Sequence, residues 1–427
     1  MFLPRFPWTT SYSGDDFRSD VFAGLTTAVM LIPQAMAYAL LAGLPIEVGL
    51  YASTIPVFVY AFWGTGRVLA VGPVAVDSLL CAAAINAVSA EMSPDITSAE
   101  QVKMAALLAF MTGVVLVLMG VLKLGRVVSL LTPTIITAFT SAAAIIIGIN
   151  QLKLLLGVNI IKSSNVYLVL MDVLQKLSHI HIPTLILGTV AMTALISLKV
   201  FVPKIPRAFV AVILGIAVVI LFDLGASGVQ LVGDIPAGLP SISTPWLEWN
   251  VVIELLPHAV VIAIDAFMEA FSINTTLQKD PSELEPSREL IALGGANIAS
   301  GLFQGYSVTG GFSRSAVNSE AGAKTQVASL ITGVMVLLTL GLFYNVLADI
   351  PKAVLGAIIL TAVVGLINIQ FAKDVFLRQR VEIPVYVATL LPTLFIGIKE
   401  GLIAGIIVNW IRTRSSLMSG IPDSNDA

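Results

Sequence analysis

The chain has 427 residues, 57% of them hydrophobic and only 11% charged, with a mean hydropathy of +0.95 and a formal net charge of −3. A soluble domain carries about 25% charged residues, so these values exclude an ordinary water-soluble protein, and so small a net charge gives no reason to expect a nucleic-acid partner. The single cysteine, Cys81, excludes an intramolecular disulfide and a cysteine-based metal cluster.

Arg5 and Arg18 open the chain without a short apolar stretch and cleavage site, so no signal peptide is expected. Apolar runs of membrane-spanning length then recur to the end. The predicted spans are 21–42, 47–63, 73–90, 103–123, 130–150, 184–200 and 207–223, followed by 250–273, 287–303, 311–321, 325–345, 352–370, 383–397 and 400–412. Stretches such as 105–122 are apolar on every side and do not alternate, which argues for helices and against a β-barrel. Residues 151–183 read as an outer connection with an amphipathic piece near 166–177, and 224–249 as a Gly/Pro-rich loop.

With the N-terminus inside, the Lys and Arg residues other than Arg314 fall on the cytoplasmic side, except Lys103, Lys153, Lys162, Lys176, Lys352 and Lys399. That bias places both termini in the cytoplasm. Trp8, Trp63, Trp246, Trp249 and Trp410 sit near span ends, as interfacial aromatics do. The expected fold is therefore an all-α polytopic membrane protein, one transmembrane domain over 1–427 with fourteen helices. It divides into two seven-helix halves, 15–225 and 250–415, of opposite orientation.

The third predicted span of each half is interrupted in the same way. One interruption reads Arg67-Val68-Leu69-Ala70-Val71-Gly72-Pro73-Val74-Ala75-Val76-Asp77, the other Gly305-Tyr306-Ser307-Val308-Thr309-Gly310-Gly311-Phe312-Ser313-Arg314-Ser315. Each has an extended run, a glycine break and a helix start. Paired breaks in two halves predict a 7+7 inverted repeat whose two half-helices meet at a binding site near the midplane. A helix start offers free N–H groups and partial positive charge, which suits an anion.

Four charges are counted inside spans: Asp77, Asp265, Glu269 and Arg314. Such residues are functional candidates by default. Asp265 and Glu269 share a helix face at i,i+4 and repel unless a proton or cation intervenes; the competing reading pairs them with Arg314. Asp77, one turn into the third span, stands equally well as a buried structural polar group. Gln34 and Tyr38, also i,i+4 and just after Pro33, can line a cavity or join helices. Ser313 and Ser315 flank Arg314, and Phe312 is a cavity wall or plain packing. His258, His179 and His181 form no zinc-type ligand set, so no metal is expected from them.

The run Pro33-Gln34-Ala35-Met36-Ala37-Tyr38-Ala39-Leu40-Leu41-Ala42-Gly43-Leu44-Pro45, followed by Gly49-Leu50-Tyr51-Ala52-Ser53, resembles the opening signature of the SulP sulfate-permease family, which includes pendrin and prestin. Gly64-Thr65-Gly66-Arg67 with Val71-Gly72-Pro73-Val74-Ala75-Val76, and Phe312-Ser313-Arg314-Ser315, resemble its third- and tenth-helix segments. The resemblance implies a core of helices one to four and eight to eleven that carries the substrate, and a gate of the remaining helices that contacts a second protomer. It places an anion between the starts of helices three and ten, among Gln34, Tyr38, Val74, Ala75, Phe312, Ser313 and Arg314. It matches Glu269 to the family's helix-eight acid, and Asp265 to a position that holds a cation-binding aspartate in cyanobacterial bicarbonate members, so Na+ near Asp265 is one option. Many members carry an aromatic where Val74 stands, and relatives are usually apolar where Asp77 stands. Members normally end in a cytosolic STAS domain, for which the residues up to Ala427 leave no room.

The reading that follows is a secondary transporter of small anions of the sulfate, bicarbonate or dicarboxylate class, not an enzyme, working by an elevator movement of core against gate as a homodimer in the plasma membrane bilayer. Three acids against one arginine leave negative charge to offset, so coupling to H+ or Na+ is expected through Glu269, Asp265 or Asp77, without any other cofactor. A nucleobase:cation symporter on the same fold, and an exchanger or channel-like electromotile member, are the alternatives.

Overall fold

The first long helix shows how this sequence builds its scaffold. In this computed structural model, which describes residues 12–92, 97–123, 132–161, 165–202, 206–233, 238–245, 248–278 and 284–419, α1 (Gly14–Ala42) begins at a Ser13/Asp16 capping box and ends at Gly43 in the left-handed region, φ 77°. It runs on through Pro33, deep in its apolar stretch. The interfacial roles expected of Trp8 and Trp246, and the placement of Arg5, Arg126, Lys162, Lys204 and Lys279, fall outside the described residues.

The chain continues through α2 (Ile46–Tyr51), α3 (Ile55–Trp63), the two-residue strand β1 (Val71–Gly72), α4 (Ala75–Met92), α5 (Ser98–Val121), α6 (Pro133–Leu156), α7 (Val166–Gln175), α8 (Ile182–Phe201) and α9 (Arg207–Leu221). The second part comprises α10 (Trp249–Leu277), α11 (Pro286–Leu302), the strand β2 (Thr309–Gly310), α12 (Phe312–Glu320), α13 (Val327–Leu342), α14 (Tyr344–Ala348), α15 (Lys352–Val363), α16 (Ile369–Leu377), α17 (Ile383–Phe395) and α18 (Ile398–Ser419).

Several predicted spans are broken. The span expected at 47–63 divides into α2 and α3 at Ser53–Thr54, where the Ser53 hydroxyl bonds back to the Gly49 carbonyl at 2.8 Å. The span expected at 352–370 stops at Val363, passes through a 3-10 turn at Val364–Leu366 and restarts as α16. Among the described residues, six helical stretches are long and apolar enough to cross a membrane by themselves: Gly14–Ala42, Ile46–Trp63, Ser98–Val121, Thr137–Leu156, Ile182–Phe201 and Trp249–Leu277.

Two compact units emerge, and each draws on both halves of the sequence. The larger comprises residues 1–128, 154–157 and 181–359; the smaller comprises 129–153, 158–180 and 360–427. In the larger unit α5 packs most extensively on α11. Gly113 and Gly294 make the close approach possible: a Cβ on Gly113 would lie 2.5 Å from the Gly294 carbonyl oxygen, and one on Gly294 would lie 2.7 Å from that of Gly113. Small residues at the crossing let the backbones meet, the usual basis of helix association in lipid. In the smaller unit, Val375 and Tyr386 pack with Ala138, and α17 lies along α18. Large apolar side chains such as Phe201, Leu221, Ile253 and Trp410 are exposed, as a lipid-facing surface requires.

Candidate functional site

The two interrupted segments meet. β1 and β2 pair antiparallel, with Val71 opposite Gly310 and Gly72 opposite Thr309. α4 starts three residues after Gly72, and α12 two residues after Gly310. A two-residue ladder cannot hold itself, and buried side chains fasten it. Ser315 on α12 accepts the Ala70 N–H at 2.9 Å, the Thr309 hydroxyl donates to the Ala266 carbonyl of α10 at 2.6 Å, and the Gly311 N–H donates to the Ala70 carbonyl at 3.1 Å. On the far side, Asn297 of α11 receives the Val308 N–H at 3.0 Å and donates to the Val308 carbonyl at 2.8 Å. Tyr306 is fully buried; its hydroxyl meets that of Ser78 at 2.8 Å, and its carbonyl accepts the Ser300 hydroxyl at 2.6 Å.

Arg314 is the third residue of α12, within its first turn, and is only 2% exposed. Its Nη1 donates to the Pro73 carbonyl at 2.8 Å and to Gln34 Oε1 at 3.3 Å, so it spans from one half-helix to the residues just before the other, and to α1. Its Nε and Nη2 are buried without a hydrogen-bond partner. No carboxylate among the described residues forms an ion pair with it, so the pairing of Arg314 with Asp265 or Glu269 weighed from sequence does not occur. Each orphaned donor on a buried guanidinium costs about 1–3 kcal/mol, and a ligand that accepts from it recovers that cost.

The other expected residues fall around this point, all within the larger unit. Gln34, Tyr38, Val74 and Ala75 are buried, at 4–8% exposure. Ser313 is exposed and Phe312 is 52% exposed. Asp265 and Glu269 are partly exposed on α10, and Glu269 Oε2 has no partner. Asp77 is fully buried; it accepts the Ser307 hydroxyl at 3.3 Å, and its Oδ1 has no hydrogen-bond partner. Ser315, read from sequence as a flanking contact, is a structural fastener.

The count of four charges inside spans is too low. Glu289, on α11, is fully buried and accepts four hydrogen bonds: from Tyr60 Oη at 2.5 Å, Asn274 Nδ2 at 3.0 Å, and the Thr65 N–H and hydroxyl at 3.1 and 2.8 Å. It pins the segment that leads into β1. Glu254 of α10 also keeps a buried oxygen without a partner. Asp20, just before the predicted first span, is fully buried and accepts from Tyr12, Thr325 and the N–H groups of Lys324 and Thr325. Glu289 was overlooked because it stands three residues into a predicted span, where an acid reads as interfacial; the signal available was Asn297 further along the same helix, a lone amide in an apolar run. His181 bonds Thr184 at 2.7 Å and the Ser227 carbonyl at 2.9 Å, a loop contact.

Comparison with known proteins follows the same geometry. The family model described as the sulfate permease family matches residues 17–389. Sulfate transporter 4.1, chloroplastic, of Arabidopsis thaliana is 36% identical over 415 residues, covering 95% of this chain and 59% of its own length. Prestin of Tursiops truncatus is 31% identical, covering 96% of this chain and 58% of its own. The chain thus spans about three-fifths of the length of these relatives. Among solved structures, the murine Solute Carrier 26 family member A9 anion transporter in the inward-facing state is similar with a TM-score of 0.88 at 26% identity, over 96% of this chain and 70% of that one. The transmembrane domain of a cyanobacterium bicarbonate transporter, BicA, gives 0.79 at 26% identity, over 92% of this chain and 98% of that one.

Proposed function

The chain belongs to the sulfate permease family, and from that premise we propose that it is a secondary transporter of small anions of the sulfate, bicarbonate or dicarboxylate class. The observation that carries this reading is Arg314: a buried cation at a half-helix start, joined to the residues before the other half-helix start, with two donors left over. Both helix starts add partial positive charge at the same place. An anion seated there completes the donor set of Arg314 and touches the walls formed by Gln34, Tyr38, Val74 and Ala75, with Phe312 and Ser313 at its open side.

The acids supply the coupling. Glu269, Asp265 and Asp77 outnumber Arg314, and their buried negative charge opposes an arriving anion unless a cation comes with it. H+ or Na+ enters with the substrate, the latter near Asp265. The movement is an elevator step in which a core of two sets of four helices from a 7+7 repeat of fourteen spans carries the site past a gate, in a homodimer joined through the gate. Both termini lie in the cytoplasm of a plasma-membrane protein, as the basic-residue bias supports.

The test is uptake of labelled sulfate, bicarbonate and fumarate into proteoliposomes, with uracil as competitor. Saturable uptake that Arg314→Ala abolishes, in a variant that purifies folded, is the expected result. Uptake within twofold of wild type in Arg314→Ala removes the site assignment, and competition by uracil alone moves the reading to a nucleobase symporter.

A further inference from the structure

α10 carries its titratable residues in one line. Glu254, His258, Asp265 and Glu269 follow one another at spacings of four, seven and four, and at about 100° per residue all four fall within a sector of about 60°. The line runs between two unlike faces of the helix. On one side Leu255, Ala259, Ile262 and Ala266 are buried against the protein, while on the other Ile253 and Val260 are exposed, as a lipid-facing surface requires. Glu254, His258, Asp265 and Glu269 are each partly exposed, and so is Val261, which sits on the same edge between His258 and Asp265. The edge is therefore accessible from the start of the helix to the coupling acids.

Glu254 and His258 have no part in the anion site, yet they sit one turn apart near the start of α10, a spacing at which side chains meet. Glu254 Oε2 is buried without a hydrogen-bond partner, so an acceptor is left over for a mobile donor. Pro257, inside the helix, takes away the helical donor of the Ile253 carbonyl, which leaves an acceptor for water at the level of the pair. Histidine is the side chain that gains and loses a proton near neutral pH. Among the described side chains of the elements packed on α10, α5 brings Glu100 and Lys103, both exposed near its start, α4 brings Asp77 and Cys81, α11 brings Arg288 and Glu289, and α12 brings Arg314 and Glu320. Asp77 and Arg314 belong to the site already described, and Glu289 is saturated at the other end of α10, beside Asn274.

We propose that Glu254 and His258 form a proton-entry relay, which passes the coupling proton from the outer surface along α10 to Asp265 and Glu269. This inference rests on the proton-coupled reading and the orientation proposed above, in which the start of α10 lies outside. The proton leaves solvent for the Glu254 carboxylate and passes to one imidazole nitrogen of His258. The other imidazole nitrogen releases a proton to water, and that water delivers it to Asp265 or Glu269. Only O–H and N–H bonds form and break, and each carrier returns to its starting charge. The interval from His258 to Asp265 is about 10 Å at about 1.5 Å per residue, a gap that water bridges past Val261 and side chains alone do not.

The experiment measures initial rates of labelled sulfate uptake into proteoliposomes under an inward sulfate gradient, with equal pH on both faces, between about pH 5.5 and pH 8, the range around the histidine pKa. In His258→Ala the rate is expected to fall about fivefold at the alkaline end, where protons are scarce, and to stay within about twofold of wild type at the acid end. Sulfate binding, read by calorimetry, is expected to be unchanged. Imidazole added equally on both faces is expected to restore about half or more of the lost rate in His258→Ala and none in Glu269→Gln. A His258→Ala rate equal to wild type at every pH overturns the inference and leaves the coupling role of Glu269 standing. A loss of the same size at every pH, or one that imidazole does not restore, assigns His258 a structural role and overturns it as well. Wild-type uptake that is absent, or indifferent to pH, overturns the coupling reading and the inference together. Should His258→Ala not fold, Glu254→Gln decides: it keeps the volume and removes the titratable oxygen, and a pH profile identical to wild type in that variant overturns the inference.

Discussion

Asp77, Asp265, Glu269 and Arg314 are the residues a reader of the sequence singles out, because a charge in an apolar run is costly and therefore purposeful. The structure separates their environments. Glu269 keeps an unpartnered oxygen and is partly exposed, which suits a group that exchanges a proton or meets a cation. Glu269→Gln, which mimics the protonated acid, is expected to weaken the dependence of uptake on a proton or sodium gradient while leaving anion binding within a fewfold of wild type. Unchanged gradient-driven accumulation in that variant would assign the coupling to Asp265 or Asp77. Glu289 is the opposite case: its carboxylate is saturated by four donors and holds no open valence. Glu289→Gln puts an amide N–H against groups that are themselves donors, so it is expected to destabilise the protein by about 1–3 kcal/mol, read as a lower thermal midpoint in detergent against the exposed control Glu320→Gln. The sequence announces charged residues but not their partners: Tyr60 and Thr65 stand more than two hundred positions from Glu289, and only the fold brings them together.

At the scale of elements, the paired breaks were legible because glycine and proline punctuate apolar runs unambiguously. The helix starts fell within two residues of expectation, at Ala75 and Phe312. The breaks inside α2–α3 and after α15 were less visible, since Ser53, Thr54 and Gly365 sit within hydrophobic surroundings that read as continuous span. Packing of α5 on α11 was invisible for a different reason: glycine in a helix is ambiguous until its neighbour is known. With the neighbour known, a consequence follows. Gly294→Leu cannot be accommodated, because even a Cβ would stand 2.7 Å from the Gly113 carbonyl oxygen; helix separation and loss of folded yield are expected, whereas Gly341→Leu, where a Cβ meets nothing within 4 Å, serves as the tolerated control. Size-exclusion profiles and thermal midpoints of the two variants decide the matter. Similar behaviour of both would mean that the α5–α11 contact is not tight.

At the scale of the whole molecule, the class is legible in the composition, but the division into units cuts across the two sequence halves. Residues 129–153 and 360–427 come from opposite halves of the sequence and cluster in one unit. Every residue assigned to the site, from Gln34 to Arg314, lies in the larger unit, and so do its fasteners Asn297, Ser300, Thr309 and Ser315. Among the described residues, the hydrogen bonds of these groups are made with segments before α15. The 427-residue chain, reconstituted alone, is therefore expected to bind its anion with full affinity and to transport it, at a rate that any additional domain of its longer relatives would modulate rather than create. Parallel measurements of equilibrium binding and of flux in proteoliposomes check this. Retained binding with lost flux would mean that movement, not the site, needs a further partner; loss of both would show that the donor set around Arg314 is incomplete in this chain.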